Sequence, residues 1–205
     1  AETVLAAGAL HSPLLMMRSG LGPARHLAAL GIEAAVDLPG LGLNLQEHPA
    51  VTVSAYLPPA ARVKAAMRRH NCVYARYSSA VDGCEAIDMV LNLVGKSAWH
   101  PLGERLGTVQ VWIARPYSRG RVALARGRNG IEPDIRFELL SDWRDLRRAM
   151  DGVRRVAALL AEEPARRAAL DPFPSSYSER AKKIGAVTLG NRAITAAAAG
   201  LMDLS

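Results

Sequence analysis

The first stretch with chemical potential is Gly8-Ala9-Leu10-His11-Ser12-Pro13-Leu14-Leu15-Met16-Met17-Arg18-Ser19-Gly20-Leu21-Gly22. Thr3 to Ala7 is an apolar run of strand length, closed by Gly8. Ser12 suits a helix N-cap, and Pro13 suits the first helical turn, where a missing N–H costs nothing. Leu14 to Met17 continue as an apolar helix, and Gly20 and Gly22 stop it before Pro23. The expected unit is strand, small-residue turn, helix. Such a turn lets backbone approach a ligand closely and aims free N–H groups at it. The competing reading is an ordinary strand-to-helix turn that binds nothing.

Other reactive side chains are sparse. Ser12 does not stand in a Gly-x-Ser-x-Gly elbow, so no Ser-His-Asp constellation is argued. Cys72 and Cys84 have neither metal-ligand spacing nor a disulfide framework, and no metal site is expected. A reducing compartment is the default for such cysteine usage, so a cytoplasmic location is expected. His26, His70 and His100 are isolated and read as surface or packing residues. Trp99, Trp112 and Trp143 can line a cavity, but core packing is the preferred reading. No catalytic residue is assigned.

Half of the 205 residues are hydrophobic, which excludes a disordered composition. Lys and Arg number 26 against 19 acidic residues, a formal charge of +7. The basic residues are scattered rather than gathered into a patch, so nucleic acid is not expected as a partner. No apolar run reaches the ~18 residues of a membrane span. No signal-peptide pattern is present, although Ala1 already lies inside the expected strand and the natural N-terminus is expected to be missing.

The elements that must position these groups follow from periodicity. Ala24 to Leu30 reads as a short helix and Ile32 to Leu38 as a brief strand. Ala50 to Leu57 alternates as a strand ended by Pro58-Pro59, and Ala60 to Arg69 reads as a short basic helix. Ala86 to Val94, Val109 to Ala114, Arg121 to Leu124 and Pro133 to Leu140 are strand-like, and Gly95 to Gly107 is loop. Ser141 or Asp142 caps the clearest helix. Trp143, Leu146, Met150, Val153, Ala157 and Leu160 share one face of it, and its arginines are expected on the solvated side. Pro172 to Ser176 is expected to be loop, with helix from Tyr177 onward and an Ala-rich segment at the end.

The opening stretch resembles the second signature of the glucose-methanol-choline (GMC) family of flavin oxidoreductases. Gly8-Ala9, Ser12-Pro13, Leu15-Met16 and Ser19-Gly20-Leu21-Gly22 fill the places of that pattern. Downstream, Leu38-Pro39-Gly40-x-Gly42-x-Asn44-Leu45-x-Glu47-His48 resembles a second run of the family, with Glu47 where Asp is usual. Pro116-x-Ser118-Arg119-Gly120-x-Val122 resembles the opening of its C-terminal region. The resemblance extends along the whole chain but corresponds only to the middle-to-C-terminal portion of the family.

That resemblance implies an α+β fold: part of an FAD-binding domain over residues 1–57, then a substrate-binding domain over residues 58–205. The latter would be an antiparallel sheet with helices on one face, incomplete at the C-terminus. It implies FAD as cofactor and an alcohol as substrate, as in choline-dehydrogenase-like proteins. Ala7, Gly8, Ala9 and Ser12 are the cofactor-side candidates, with Asn44 and His48 in supporting places. For His48 a structural role in a loop is the main alternative, and His11 is variable filler within the signature. Family members carry a Gly-x-Gly-x-x-Gly diphosphate motif and a late catalytic His. Here Arg25 and Leu45 stand where third glycines would fall, and no His follows Leu160. The expectation is therefore a fragment or truncated bacterial relative, inactive alone, not retaining FAD, with a complementing chain as a candidate partner. The alternative is a non-catalytic remnant acting as a binding module.

Overall fold

The computed structural model describes residues 2–64, 66–67, 69–176 and 178–204. In chain order the elements are α1 (Gly8–Arg18), β1 (Leu21–Gly22), α2 (Ala24–Ala29), β2 (Val36–Asp37), β3 (Ala50–Tyr56), β4 (Asn71–Tyr77), β5 (Met89–Val94) and β6 (Leu106–Ile113). There follow β7 (Arg121–Gly127), β8 (Gly130–Arg136), α3 (Trp143–Ala161), α4 (Ala165–Ala168), β9 (Leu170–Ser175), α5 (Glu179–Gly185) and α6 (Leu189–Met202). The mixture of helices with antiparallel sheets is the α+β class expected. No helix among the described residues is long and apolar enough to cross a membrane. Two compact units form, residues 1–47 with 116–145, and residues 48–115 with 146–205.

The first unit is built around α1. Leu14 and Met17 on its inner face meet Leu27 of α2 and Val122 and Leu124 of β7 in one buried cluster. Behind α1, β1 and β2 pair in parallel, Leu21 opposite Val36. β7 and β8 form an antiparallel hairpin. The expected strand at Thr3 to Ala7 is not formed: residues 2–6 are exposed and carry no ladder. Helix α1 also starts at Gly8 rather than at Ser12, because Gly8 takes a left-handed φ of +82° that starts the turn early. Pro13 therefore lies inside the helix. It removes one N–H from the ladder without ending it.

The second unit is a five-stranded antiparallel sheet in the order β4-β5-β6-β3-β9. Alternation sorts its faces. Val53, Ala55, Met89, Leu91, Val111 and Ile113 are buried on one side. Ser54, Asn92, Thr108 and Gln110 stand on the other. α3 lies on the apolar side, where Gly152 lets it approach: a Cβ there would collide with the Val111 side chain. β9 corrects the loop expected at Pro172 to Ser176. It is an edge strand, the one place in a sheet where its two prolines cost no ladder bond. β4, at the other edge, falls in a stretch without a readable period. The helix expected over Ala60 to Arg69 reduces to a 3-10 turn at Pro59–Ala61; Ala65 and Arg68 lie outside the described residues, as does Tyr177.

α3 buries a different face from the one expected, although Arg147, Arg154 and Arg155 stay on the solvated side. Trp143, Leu146 and Met150 are exposed, whereas Asp145, Arg148, Ala149, Gly152 and Val156 are buried. The reason is electrostatic. In the second unit Arg148, 0% exposed, pairs with Asp88 at 3.0 Å and donates to the Arg115 carbonyl at 3.0 Å. Asp88 also accepts from Ser79 N (2.8 Å) and Ser79 Oγ (2.7 Å). Burial alone would push the Asp88 carboxyl up; the bonds from Ser79 and Arg148 outweigh it and hold the group below its ordinary value. A buried charge pair so fully bonded tolerates a position that hydrophobic periodicity assigns to solvent.

Candidate functional site

Four of the proposed cofactor-side residues come together at the start of α1. Ser12 Oγ accepts from Ala7 N at 3.0 Å, closing the entry to the helix from inside rather than capping it. Ala7, the N-cap residue, offers no side-chain bond to the first turn. The N–H groups there are left for something else, since the first amides of a helix have no partner within it. A Cβ built on Gly8 would meet nothing within 4 Å. The helix start is thus small, open and rich in free donors, which fits a polar or anionic group laid against backbone. His11 is exposed on the same helix.

The later half of the same stretch is shaped by packing instead. Gly20 takes φ +80°, and a Cβ on it would stand 2.6 Å from the Glu33 carbonyl oxygen. Its own carbonyl accepts from Ala35 N (2.8 Å) and Val36 N (3.2 Å), which seats β2 beside β1. Gly22 lies against Met17 and Leu27.

Asn44 sits in the turn that follows Pro39-Gly40, exposed, with φ +60°, a conformation that asparagine tolerates better than most residues. The residues after it meet the third motif. Leu45 and Gly120 exchange backbone bonds of 3.0 and 2.8 Å, and Gln46 Nε2 donates to the Pro116 carbonyl at 3.0 Å. Buried Asp145 accepts from Tyr117 N (3.1 and 3.0 Å) and Ser118 N (2.7 Å). Ser118 Oγ in turn accepts from Asp142 N at 3.0 Å. The Arg144 guanidinium lies 3.6 Å from the Tyr117 ring centroid. Gly120 is required because a Cβ would strike the Arg136 and Phe137 carbonyls. The sequence motifs near Asn44 and Pro116 thus serve one structural junction. Sequence reasoning names Asp142 as a candidate helix cap but misses Asp145, for which an acidic residue in the first turn of α3 is the only local signal.

His48 belongs to the second unit. Its Nδ1–H donates to the Ile113 carbonyl at 3.0 Å, which orients the ring. Among the described residues no group of three His, Cys, Asp or Glu side chains is placed to hold a metal. Cys72 and Cys84 form no disulfide.

The chain thus combines a small-residue helix start, a hairpin that follows a Pro-x-Ser-Arg-Gly turn and an antiparallel sheet in one helix-and-sheet fold class. The chain belongs to the GMC oxidoreductase family: family models described as GMC oxidoreductase match residues 1–50 and 116–198. It is 38% identical over 164 residues to 5-(hydroxymethyl)furfural oxidase of Methylovorus sp. (strain MP688), covering 78% of this chain and 30% of that protein. To choline oxidase of Arthrobacter globiformis it is 58% identical over 48 residues, 23% of this chain and 9% of the oxidase. In structure it is similar to an Aspergillus oryzae formate oxidase variant studied for FAD modification, with TM-score 0.67, 20% identity, and coverage of 92% of this chain and 41% of that one. The chain therefore spans well under half the length of these relatives.

Proposed function

We propose that this chain is a portion of an FAD-dependent alcohol oxidoreductase. In this reading residues 1–57 contribute to an FAD-binding domain and residues 58–205 to a substrate-binding domain. The observation that carries it is the open, uncapped start of α1 in a chain of GMC lineage. Ala7, Gly8 and Ala9 would lie against the cofactor through backbone, since no side chain stands in the way. Ser12 holds the entering chain in place. Asn44 and His48 take supporting places, the first by its left-handed turn and the second by its fixed ring.

Bound FAD supplies the acceptor for the hydride leaving an alcohol carbon. Among the described residues none is placed as base for the hydroxyl proton, and in the sequence no His follows His100. The sequence also holds no Gly-x-Gly-x-x-Gly, which would supply most of the diphosphate contacts. We therefore infer that the chain alone does not retain FAD and is inactive by itself. The bare segment before α1, with Val4 80% exposed, supports the idea that further strands, in the same protein or a complementing one, normally pair with it.

The test is to purify the chain with FAD present and follow two signals. Excess FAD should slow hydrogen exchange at the amides of Ala9 and Leu10, while no stoichiometric flavin band survives gel filtration. Unchanged exchange at those amides would remove the cofactor site from α1. A flavin band that persists would overturn the inference of non-retention.

A further inference from the structure

In the second unit, the hairpin of α5 and α6 holds apolar side chains in water, and specific bonds keep them there. Ser178 caps α5, its Oγ accepting from Ala181 N at 3.3 Å. Thr188 caps α6, its Oγ1 accepting from Asn191 N at 3.1 Å. Asn191 Nδ2 reaches back across the turn and donates to the Lys183 carbonyl at 2.6 Å and the Ala186 carbonyl at 3.0 Å. Carbonyls that the end of α5 would leave open are thus satisfied from the first turn of α6. The turn between the helices, Ala186 to Thr188, is fixed in shape by these bonds. It presents Val187 fully exposed, and Leu189 beside it is 86% exposed. The apolar surface continues along α6. Thr195 and Ala199 are the buried side of that helix, while Ile194, 64% exposed, and Ala197 point away from them. Arg192 is the one charged residue within α6.

Single apolar side chains on a surface are ordinary, but a contiguous set marks an interaction surface. The charges around this one define what docks. Lys182 and Lys183 lie in the last turn of α5 and Arg192 in the first turn of α6, so all three border the tip. The acids stand at the far ends of the two helices. Glu179 opens α5 and pairs with Lys182 at 2.5 Å. Asp203 follows α6 and is taken up by Arg62 and Arg105. We propose that this hairpin docks on an anionic phospholipid surface, with Val187, Leu189 and Ile194 entering the headgroup layer and Lys183 and Arg192 meeting the lipid anions. An apolar outer side bordered by cations is the composition of an element that lies in a membrane interface. α6 has 14 residues, fewer than the ~20 of a membrane span, so the hairpin rests on the surface without crossing it. The ion pairs of Asp203 tie the far end of α6 to the sheet side of the same unit, so the hairpin docks as part of a folded body.

The experiment needs no flavin, so its outcome is independent of the oxidoreductase reading. Float the full chain with vesicles of equal phosphatidylserine and phosphatidylcholine, and separately with vesicles of phosphatidylcholine alone. The chain should rise with the anionic vesicles and stay behind with the neutral ones. A formal charge of +7 gives some attraction to any anionic surface, so the variants carry the test. Val187→Ser combined with Leu189→Ser keeps every charge and should weaken partitioning about tenfold or more. Lys183→Gln and Arg192→Gln should each weaken it about fivefold. All four side chains are exposed, so these variants should unfold at the temperature of the parent chain. Flotation that survives the serine variant would reduce the binding to net charge and overturn the site. Equal flotation with neutral vesicles would overturn the anionic assignment. No flotation with either would leave the tip to a protein surface and overturn the proposal.

Discussion

The two ends of one fifteen-residue stretch use glycine for opposite purposes. Gly8 opens space: it has a left-handed φ and nothing near it. Gly20, twelve residues on, has nearly the same φ but is pressed against the Glu33 carbonyl. Gly42, across the same unit, is tighter still, with Val122 O and Met17 Cε where a Cβ would go. The backbone conformation is common to all three, so the difference between them is the wall. A glycine with a wall serves the packing; one without a wall either serves a turn, as the open, left-handed Gly31 and Gly130 do after α2 and between β7 and β8, or leaves room for a ligand. The contrast gives a way to separate cofactor residues from packing residues inside a motif that looks uniform as sequence.

Gly42→Ala should give the largest effect. It combines the cost of a left-handed alanine, roughly 1–2 kcal/mol, with displacement of the β7 backbone and of Met17, roughly 1–3 kcal/mol more. Val122 N donates to the Gly42 carbonyl at 2.7 Å, so the ladder that ties this turn to β7 moves as well. Hydrogen exchange at Met17 and Val122 should accelerate towards that of exposed amides. A variant with native protection there would mean that the walls at Gly42 are soft, and the comparison would lose its stronger side.

Gly20→Ala comes next, with the same left-handed cost of roughly 1–2 kcal/mol and a displacement cost at the lower end of the roughly 1–3 kcal/mol range. Its collision is with one carbonyl oxygen, on a two-residue strand that can shift. The loss should concentrate in the pairing of β1 with β2, read as faster exchange at Ala35 and Leu38. If those amides are unaffected while α1 loosens, the glycine serves the helix end rather than the strand pair.

Much of this frame was legible in the sequence. β3, α2 and the start of α3 follow from alternation and capping, which act over a few residues. What escaped depends on distant partners. The buried side of α3 is decided by Asp88, sixty residues away from Arg148, and an ion pair has no period for a sequence to display. β9 escaped because two prolines argue against a strand until its edge position is known. Thr3 to Ala7 has the composition of a strand and lacks a ladder, since composition supplies a propensity and pairing supplies the hydrogen bonds. At the candidate site, small residues were readable as such. Whether each was small because something presses on it or because space must stay open was not, because that depends on atoms brought in from Glu33 and Val122.

Gly8→Ala should give the smallest effect on folding, and it calibrates the other two. Only the left-handed φ is penalised, about 1–2 kcal/mol, because no atom lies within reach of the new methyl group. That value, measured by denaturant unfolding, can be subtracted from the Gly20 and Gly42 results to leave the cost of their walls. A further variant separates conformation from contact. Gly8→Asn tolerates the left-handed region better than alanine does, so it should cost less stability while adding more bulk. If the opening belongs to a cofactor, the order inverts when FAD is the probe. Gly8→Asn should then lose the protection that FAD gives to Ala9 and Leu10 more completely than Gly8→Ala, despite folding better. Parallel losses, with both variants ranked by stability alone, would reduce Gly8 to a backbone device and take the cofactor out of the argument for this turn.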